Sequence, residues 1–256
     1  MTSILKVEGV TKRFAGLIAL ERCSFEVRRG SVHALIGPNG AGKTTLFNLI
    51  GGAIMPTSGR IEFDGTELGA APPHQRNRRG IARTFQLISL FNEMSVLENV
   101  MAGRYVRTRT GVFASLLGLP ASRRERKVTE EKALLILESV GLPTSLRDVR
   151  ARQLSYGERR ILEIARAIAS DPKLLLLDEP AAGMNPTEKD RLLKTVREIC
   201  AGGVTVLLVE HDMRLVMEVA DCVTVLDHGQ RIAEGPPASI REDPVVIEAY
   251  LGKGSF

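Results

Sequence analysis

The chain is 256 residues long, 44% hydrophobic and 25% charged, proportions of an ordinary globular protein with enough length to bury a sizeable core. Its 35 basic and 30 acidic residues leave a net charge of +5, too mild an excess to point to nucleic acid as a partner. No apolar run approaches the roughly 18 residues that span a bilayer, and the N-terminal MTSILKVEG lacks the basic-then-apolar layout of a signal peptide, so a cytoplasmic chain is expected.

Three short β-prone runs open the chain, at 4–7, 24–27 and 32–36, broken by Gly16 and by Arg29-Gly30. The third leads into GPNGAGKTT, residues 37–45, and a helical stretch at 45–50 follows. Gly37, Gly42, Lys43 and Thr44 have the spacing of a phosphate-binding loop, and strand, loop and helix stand in the order that motif needs. Backbone N–H groups of Asn39 to Thr45, Gly40 and Ala41 among them, can turn toward phosphate oxygens; Pro38, which has no N–H, contributes only its fixed turn. The following helix points its positive end at the same anion, Lys43 reaches the outer phosphates, and the Thr44 hydroxyl can ligate Mg²⁺.

A turn at 56–59 and a strand at 60–63 close a β-rich first portion that runs to about residue 86. From 95 to 169 the apolar spacing becomes helical, which predicts an inserted helical block. The sheet then resumes with apolar strands at 173–177 and 204–209, alternating with helices at 186–200 and 213–220. Uninterrupted apolar strands between helices indicate parallel strands covered on both faces, an α/β fold. A hairpin at 224–226 and 230–233 follows, then a tail whose short amphipathic helix begins at Pro244. Cys23, Cys200 and Cys222 have neither disulfide nor zinc spacing and read as core or near-surface residues.

The strand ending Leu177-Asp178-Glu179 places two carboxylates at the C-terminal edge of a parallel sheet, where ligands bind in such folds. With the phosphate loop present, Asp178 reads as a Mg²⁺ holder and Glu179 as the base that orients and deprotonates water attacking a γ-phosphate. Leu154-Ser155-Tyr156-Gly157-Glu158, directly before an amphipathic helix, supplies a second anion site through the Ser155 hydroxyl, the Gly157 N–H and the helix N-terminus.

At this point the chain resembles the ATP-binding subunits of ABC transporters, P-loop NTPases whose signature loop has the pattern L-S-G-G-Q. Tyr156 replaces the first glycine and Glu158 the glutamine. The resemblance implies a head-to-tail dimer in which Ser155, Gly157 and Glu158 cover the ATP held by another chain's phosphate loop. It also implies roles for single residues: Phe14 stacks on adenine, Gln86 touches Mg²⁺ or the attacking water, and His211 contacts the γ-phosphate. Asn185, in Ala182-Gly183-Met184-Asn185, stands where many relatives carry an aspartate in the loop crossing the dimer seam.

The whole chain then divides into a nucleotide-binding core at 1–86 and 169–235, a helical subdomain with the signature at 87–168, and a tail at 236–256. GIARTFQ at 80–86, an insertion around 104–127, SYGERR at 155–160, EPAAGMNP at 179–186, EHDM at 210–213 and DPVVIEAYLG at 243–252 together resemble the ATPase subunits of branched-chain amino acid importers. Urea, short-amide and lipopolysaccharide transporters have similar subunits, and a soluble, non-transport ATPase of the same family is the alternative of a different class. The implied partners are transmembrane permease subunits, a second ATPase subunit, identical or related, and indirectly a solute-binding protein. The implied place is the cytoplasmic face of the inner membrane. Arg104, Arg107, Arg109, Arg123, Arg124, Arg126 and Lys127 form a basic stretch, read either as a solvated face or as a contact with anionic headgroups.

Overall fold

A computed structural model describes residues 2–107 and 120–251. One sheet is antiparallel, of order β2-β1-β4-β5, made of β1 (Ser3–Phe14), β2 (Leu17–Arg28), β4 (Ser58–Phe63) and β5 (Thr66–Glu67). The other has the order β10-β9-β3-β8-β7-β6, made of β3 (Val32–Ile36), β6 (Ile81–Arg83), β7 (Leu174–Asp178), β8 (Thr205–Val209), β9 (Cys222–Asp227) and β10 (Gln230–Gly235). Strands β9, β3, β8, β7 and β6 pair in parallel, and β10 turns back antiparallel on β9.

The sequences VHALI, LLLLD and TVLLV of β3, β7 and β8 are buried along their whole length. Their alternate residues feed two cores. Leu35, Leu174, Leu176, Leu207 and Val209 meet the antiparallel sheet and Leu46, Phe47, Leu49 and Ile50 of helix α1 (Lys43–Gly51). Ala34, Ile36, Leu175, Leu177, Val206 and Leu208 face the opposite core, shared with α3 (Val96–Gly103), α4 (Pro120–Ser139), α5 (Tyr156–Ile168), α6 (Pro186–Ala201) and α7 (Met213–Val219). Two-sided burial is why these strands are continuous apolar runs instead of alternating ones. Helix α2 (Pro73–Arg79) precedes β6, and the chain closes with α8 (Pro237–Glu242) and α9 (Pro244–Leu251).

Strands β1 and β2 are 12 residues each, well beyond the expected runs at 4–7 and 24–27. The register slips between Val7 and Val10, around Gly9 at φ 58°, and the bulge breaks the two-residue alternation that would have shown one long strand. The basic stretch also divides. Arg104 is buried and pairs with Asp171 at 3.1 Å, which takes it out of reach of a membrane surface, while Arg107, still exposed, donates to the carbonyls of Ser170 and Asp171 just past the end of α5. Arg124, Arg126 and Lys127 are exposed on α4; Arg109 and residues 112–119 lie outside the described residues. Among the described residues no helix is long and apolar enough to cross a membrane.

Candidate functional site

Strands β3, β8 and β7 are neighbours, and each releases a loop at its C-terminal end: the phosphate loop after β3, Glu210-His211 after β8, and Asp178-Glu179 closing β7. A crevice at the carboxyl ends of parallel strands is thus furnished by residues distant in sequence.

The phosphate loop lies on backbone. Gly42 caps α1 at φ 100°, and a Cβ there would come 2.6 Å from the Ala19 carbonyl oxygen, so both conformation and space demand glycine. The Gly229 N–H donates to the Ala41 carbonyl at 3.1 Å, and the Glu21 N–H to Gly229, which ties the loop through the β9–β10 turn to β2. No side chain caps α1, so its first N–H groups are left for an anion. Lys43 is buried, and its Nζ donates to the carbonyls of Gly37 at 2.7 Å and Pro38 at 2.9 Å. Burial pushes its pKa below the usual lysine range, and the nearby Glu179 carboxylate partly offsets this.

Asp178 is buried, and its carboxylate accepts from Arg83 Nη2 at 2.9 Å. The same guanidinium donates to Asn48 of α1 at 2.7 Å and lies over the rings of Phe47 and Phe85. Glu179 is a non-glycine residue at φ 45°, held there by its own N–H to the Val209 carbonyl at 3.0 Å. Strained backbone of this kind persists where neighbouring structure fixes it, often at active sites. Gln86 Nε2 donates to Glu179 Oε2 at 3.0 Å, so the glutamine and the second carboxylate meet directly. His211 is exposed, directly after a fully buried Glu210. Phe14 ends β1 as an exposed ring with Lys12 Nζ 4.9 Å from its centroid, away from both cores.

The signature residues stand apart. Among the described residues no hydrogen bond or ion pair joins Ser155 or Gly157 to the loop at 37–45. Ser155 caps α5: its Oγ accepts from the Glu158 N–H at 3.3 Å, and the Glu158 carboxylate accepts from the Ser155 N–H at 2.9 Å. Glu158 is therefore occupied by its own helix terminus. Asn185 caps α6 through the same reciprocal arrangement with Glu188.

The family model described as ABC transporter matches residues 20–182, and one described as branched-chain amino acid ATP-binding cassette transporter matches residues 230–255. The chain belongs to the ATP-binding subunits of ABC transporters. This ABC ATPase is 44% identical over 251 residues to the high-affinity branched-chain amino acid transport ATP-binding protein BraF of Pseudomonas aeruginosa, covering 98% of each chain. It is 42% identical to the corresponding protein LivG of Escherichia coli, again covering 98% of each. Among solved structures, the ADP conformation of an ATP-binding cassette of an ABC transporter superposes with a TM-score of 0.86 at 35% identity, covering 99% of this chain and 100% of the other.

Several residues of this ABC ATPase site escape a reading of the sequence. Arg83 lies within the GIARTFQ motif but gains its meaning only from Asn48 and Asp178. Arg160, fully buried on α5, donates to the carbonyls of Phe85 at 2.9 Å and Gln86 at 2.8 Å and pairs with Glu163 at 2.8 Å. The signal available was a pair of charged residues on the otherwise apolar face of a helix, since a buried charge needs partners.

Proposed function

We propose that the chain is the ATP-hydrolysing subunit of an importer of branched-chain amino acids. The observation that carries this reading is likeness along nearly the whole chain to subunits of high-affinity branched-chain amino acid transporters, with the C-terminal segment 230–255 included. Residues 1–86 and 169–235 form the nucleotide-binding core: among the described residues every strand lies in these two ranges. Residues 87–168 are the helical subdomain, and 236–256 the tail.

In this reading Phe14 stacks on adenine, while the N–H groups of the phosphate loop and Lys43 hold the phosphates. Thr44, Asp178 and Gln86 offer hard oxygen donors, and among the described residues no cluster of three His, Cys, Asp or Glu could hold a metal alone. An incomplete oxygen set suits Mg²⁺, which keeps waters and substrate phosphates in its shell and, when bound, neutralises developing charge on them. Glu179, positioned by Gln86 and its own strained backbone, takes the proton of the water whose oxygen attacks the γ-phosphorus as the bond to ADP breaks. His211 donates to the γ-phosphate. Ser155 and Gly157 complete the site of a second copy or a related subunit, head to tail.

Phe85 and Leu87 flank Gln86, Phe91 and Met94 follow in the same segment, and all four expose apolar side chains, Leu87 to 84%; they form the surface on which permease subunits sit at the cytoplasmic face of the membrane. A solute-binding protein acts through those permeases.

Reconstitution with its permeases and companion ATPase in proteoliposomes tests the reading. ATP-driven uptake of labelled leucine is expected, competed by isoleucine and valine, and lost in Glu179→Gln, which still binds ATP. Uptake of urea or a short amide in place of leucine, or full turnover in Glu179→Gln, overturns it.

A further inference from the structure

The loop between β7 and α6, residues 179–185, is held from two sides by groups that the hydrolytic reading leaves unused. From one side comes Glu210. Its side chain is 0% exposed, and its carboxylate accepts from three backbone N–H groups: Ala181 at 2.8 Å, His211 at 3.1 Å and Asp212 at 3.5 Å. The His211 ring stands beside it, with Nδ1 3.9 Å from Oε2. A buried carboxyl group satisfied only by backbone donors fixes those donors in place, because releasing any of them leaves a polar oxygen unpartnered in the core. Glu210 therefore locks Ala181, the residue after Glu179-Pro180, to His211.

From the other side comes Tyr156 of the signature. Its hydroxyl donates to the Ala182 carbonyl at 3.0 Å, and its ring covers the face of Gly183 on which a Cβ would stand. The adjoining Gly157 is packed so closely on Glu188 that a Cβ would come 2.5 Å from its Oε1, and Glu188 caps α6 at Asn185. Within the loop, the Ala182 N–H donates to the Glu179 carbonyl at 3.2 Å and the Met184 N–H to Ala181 at 3.1 Å, which makes a compact unit. Consecutive residues, Ala181 and Ala182, are thus gripped by Glu210 from one side and by Tyr156 of the signature from the other.

We infer that Tyr156 and Glu210 are positioning residues that make the 179–185 loop a rigid link between a chain's own Glu179 and His211 and its own signature. This rests on the proposed dimer for its consequence: the signature serves the other chain's ATP, so the link passes the state of one site to the other. The tyrosine that replaces glycine in the signature pattern supplies the hydroxyl that glycine lacks.

Hydrogen exchange on the isolated full-length chain tests the link without any dimer. Tyr156→Phe removes one hydroxyl from an exposed ring, and exchange is expected to rise about fivefold, the worth of one hydrogen bond, in peptides covering 181–185 and also 210–213, with the phosphate loop unchanged. Faster exchange confined to 181–185, or no change, overturns the inference. A mutant cycle in the assembled transporter gives the second readout. Tyr156→Phe and Glu210→Gln should each lower kcat about fivefold or more with KM for ATP unchanged, and the double variant should fall little below the worse single. Independent, multiplying losses overturn the link, whereas a wild-type rate in Glu179→Gln would instead count against the hydrolytic reading above.

Discussion

Two helix N-termini in this chain are proposed to meet phosphate, and they are built in opposite ways. Helix α1 begins at Gly42 with no side-chain cap, on a loop pinned by β2 and the β9–β10 turn. Helix α5 begins at Ser155 with a complete capping box, so two backbone N–H groups are already satisfied, and Glu158 places a negative charge in its first turn. An uncapped terminus on buried strands is a binding site by itself, because its orphan donors have no other partner among the side chains. A capped terminus stands without ligand and adds only what the cap leaves free, here the Ser155 hydroxyl proton and the remaining N–H groups. In the proposed reading the first terminus binds and the second completes.

The largest expected effect separates them at once. Lys43→Ala removes a charge-assisted donor from the uncapped site, and ATP binding by the isolated chain should weaken about a hundredfold in nucleotide fluorescence titrations. Ser155→Ala should leave that affinity within about twofold, cost about 1 kcal/mol of helix capping in thermal unfolding, and show its main loss in turnover of the assembled transporter. Equal losses of ATP affinity in the two variants would abolish the distinction.

The same contrast explains what the sequence disclosed. The phosphate loop, Asp178-Glu179 and the apolar strands were legible because their meaning lies in local order and spacing. Ser155 and Glu158 are legible as a motif, while their reciprocal cap is plain only in the folded helix. Arg83, Arg160 and Glu210 were illegible for a different reason: each acts on backbone or carboxylates that the fold brings from far along the chain. Arg83 reaches back to Asn48 and forward to Asp178, and Arg160 reaches Gln86 from the next subdomain. A buried charge among apolar residues announces that a partner exists without saying where it is. The length of β1 and β2 was hidden likewise, by the bulge at Gly9.

Acid sharpens the comparison next, because the strand beneath the uncapped site carries a buried histidine. His33 of β3 lies with Nε2 2.8 Å from Thr224 Oγ1 and its ring 5.7 Å from that of Phe25, and burial lowers its pKa from 6.5 to about 4. The unfolded chain therefore binds a proton between those values that the folded chain refuses, so stability is whole above about pH 6.5 and falls as pH drops toward 4. From this residue alone, urea unfolding should report a loss of about 2 kcal/mol between pH 7 and pH 5. The pH dependence of His33→Gln should be flatter by that amount. An unchanged slope would mean that His33 finds a proton-accepting partner when it ionises.

The smallest effect belongs to the completing terminus. Glu158→Gln keeps a side-chain acceptor for the Ser155 N–H, so the cap survives and thermal stability should hold within about 0.5 kcal/mol. What changes is charge: a carboxylate in the first turn of α5 repels the phosphates that the terminus is proposed to cover in the other chain. Its removal should strengthen ATP-driven closure by about 0.3–1 kcal/mol, a few-fold at most, and the gain should shrink with salt. Light scattering of the ATP-bound dimer in the Glu179→Gln background, at low and high ionic strength, measures this without interference from turnover. Weaker closure in Glu158→Gln would mean that the carboxylate meets a cation across the seam and attracts the partner chain there.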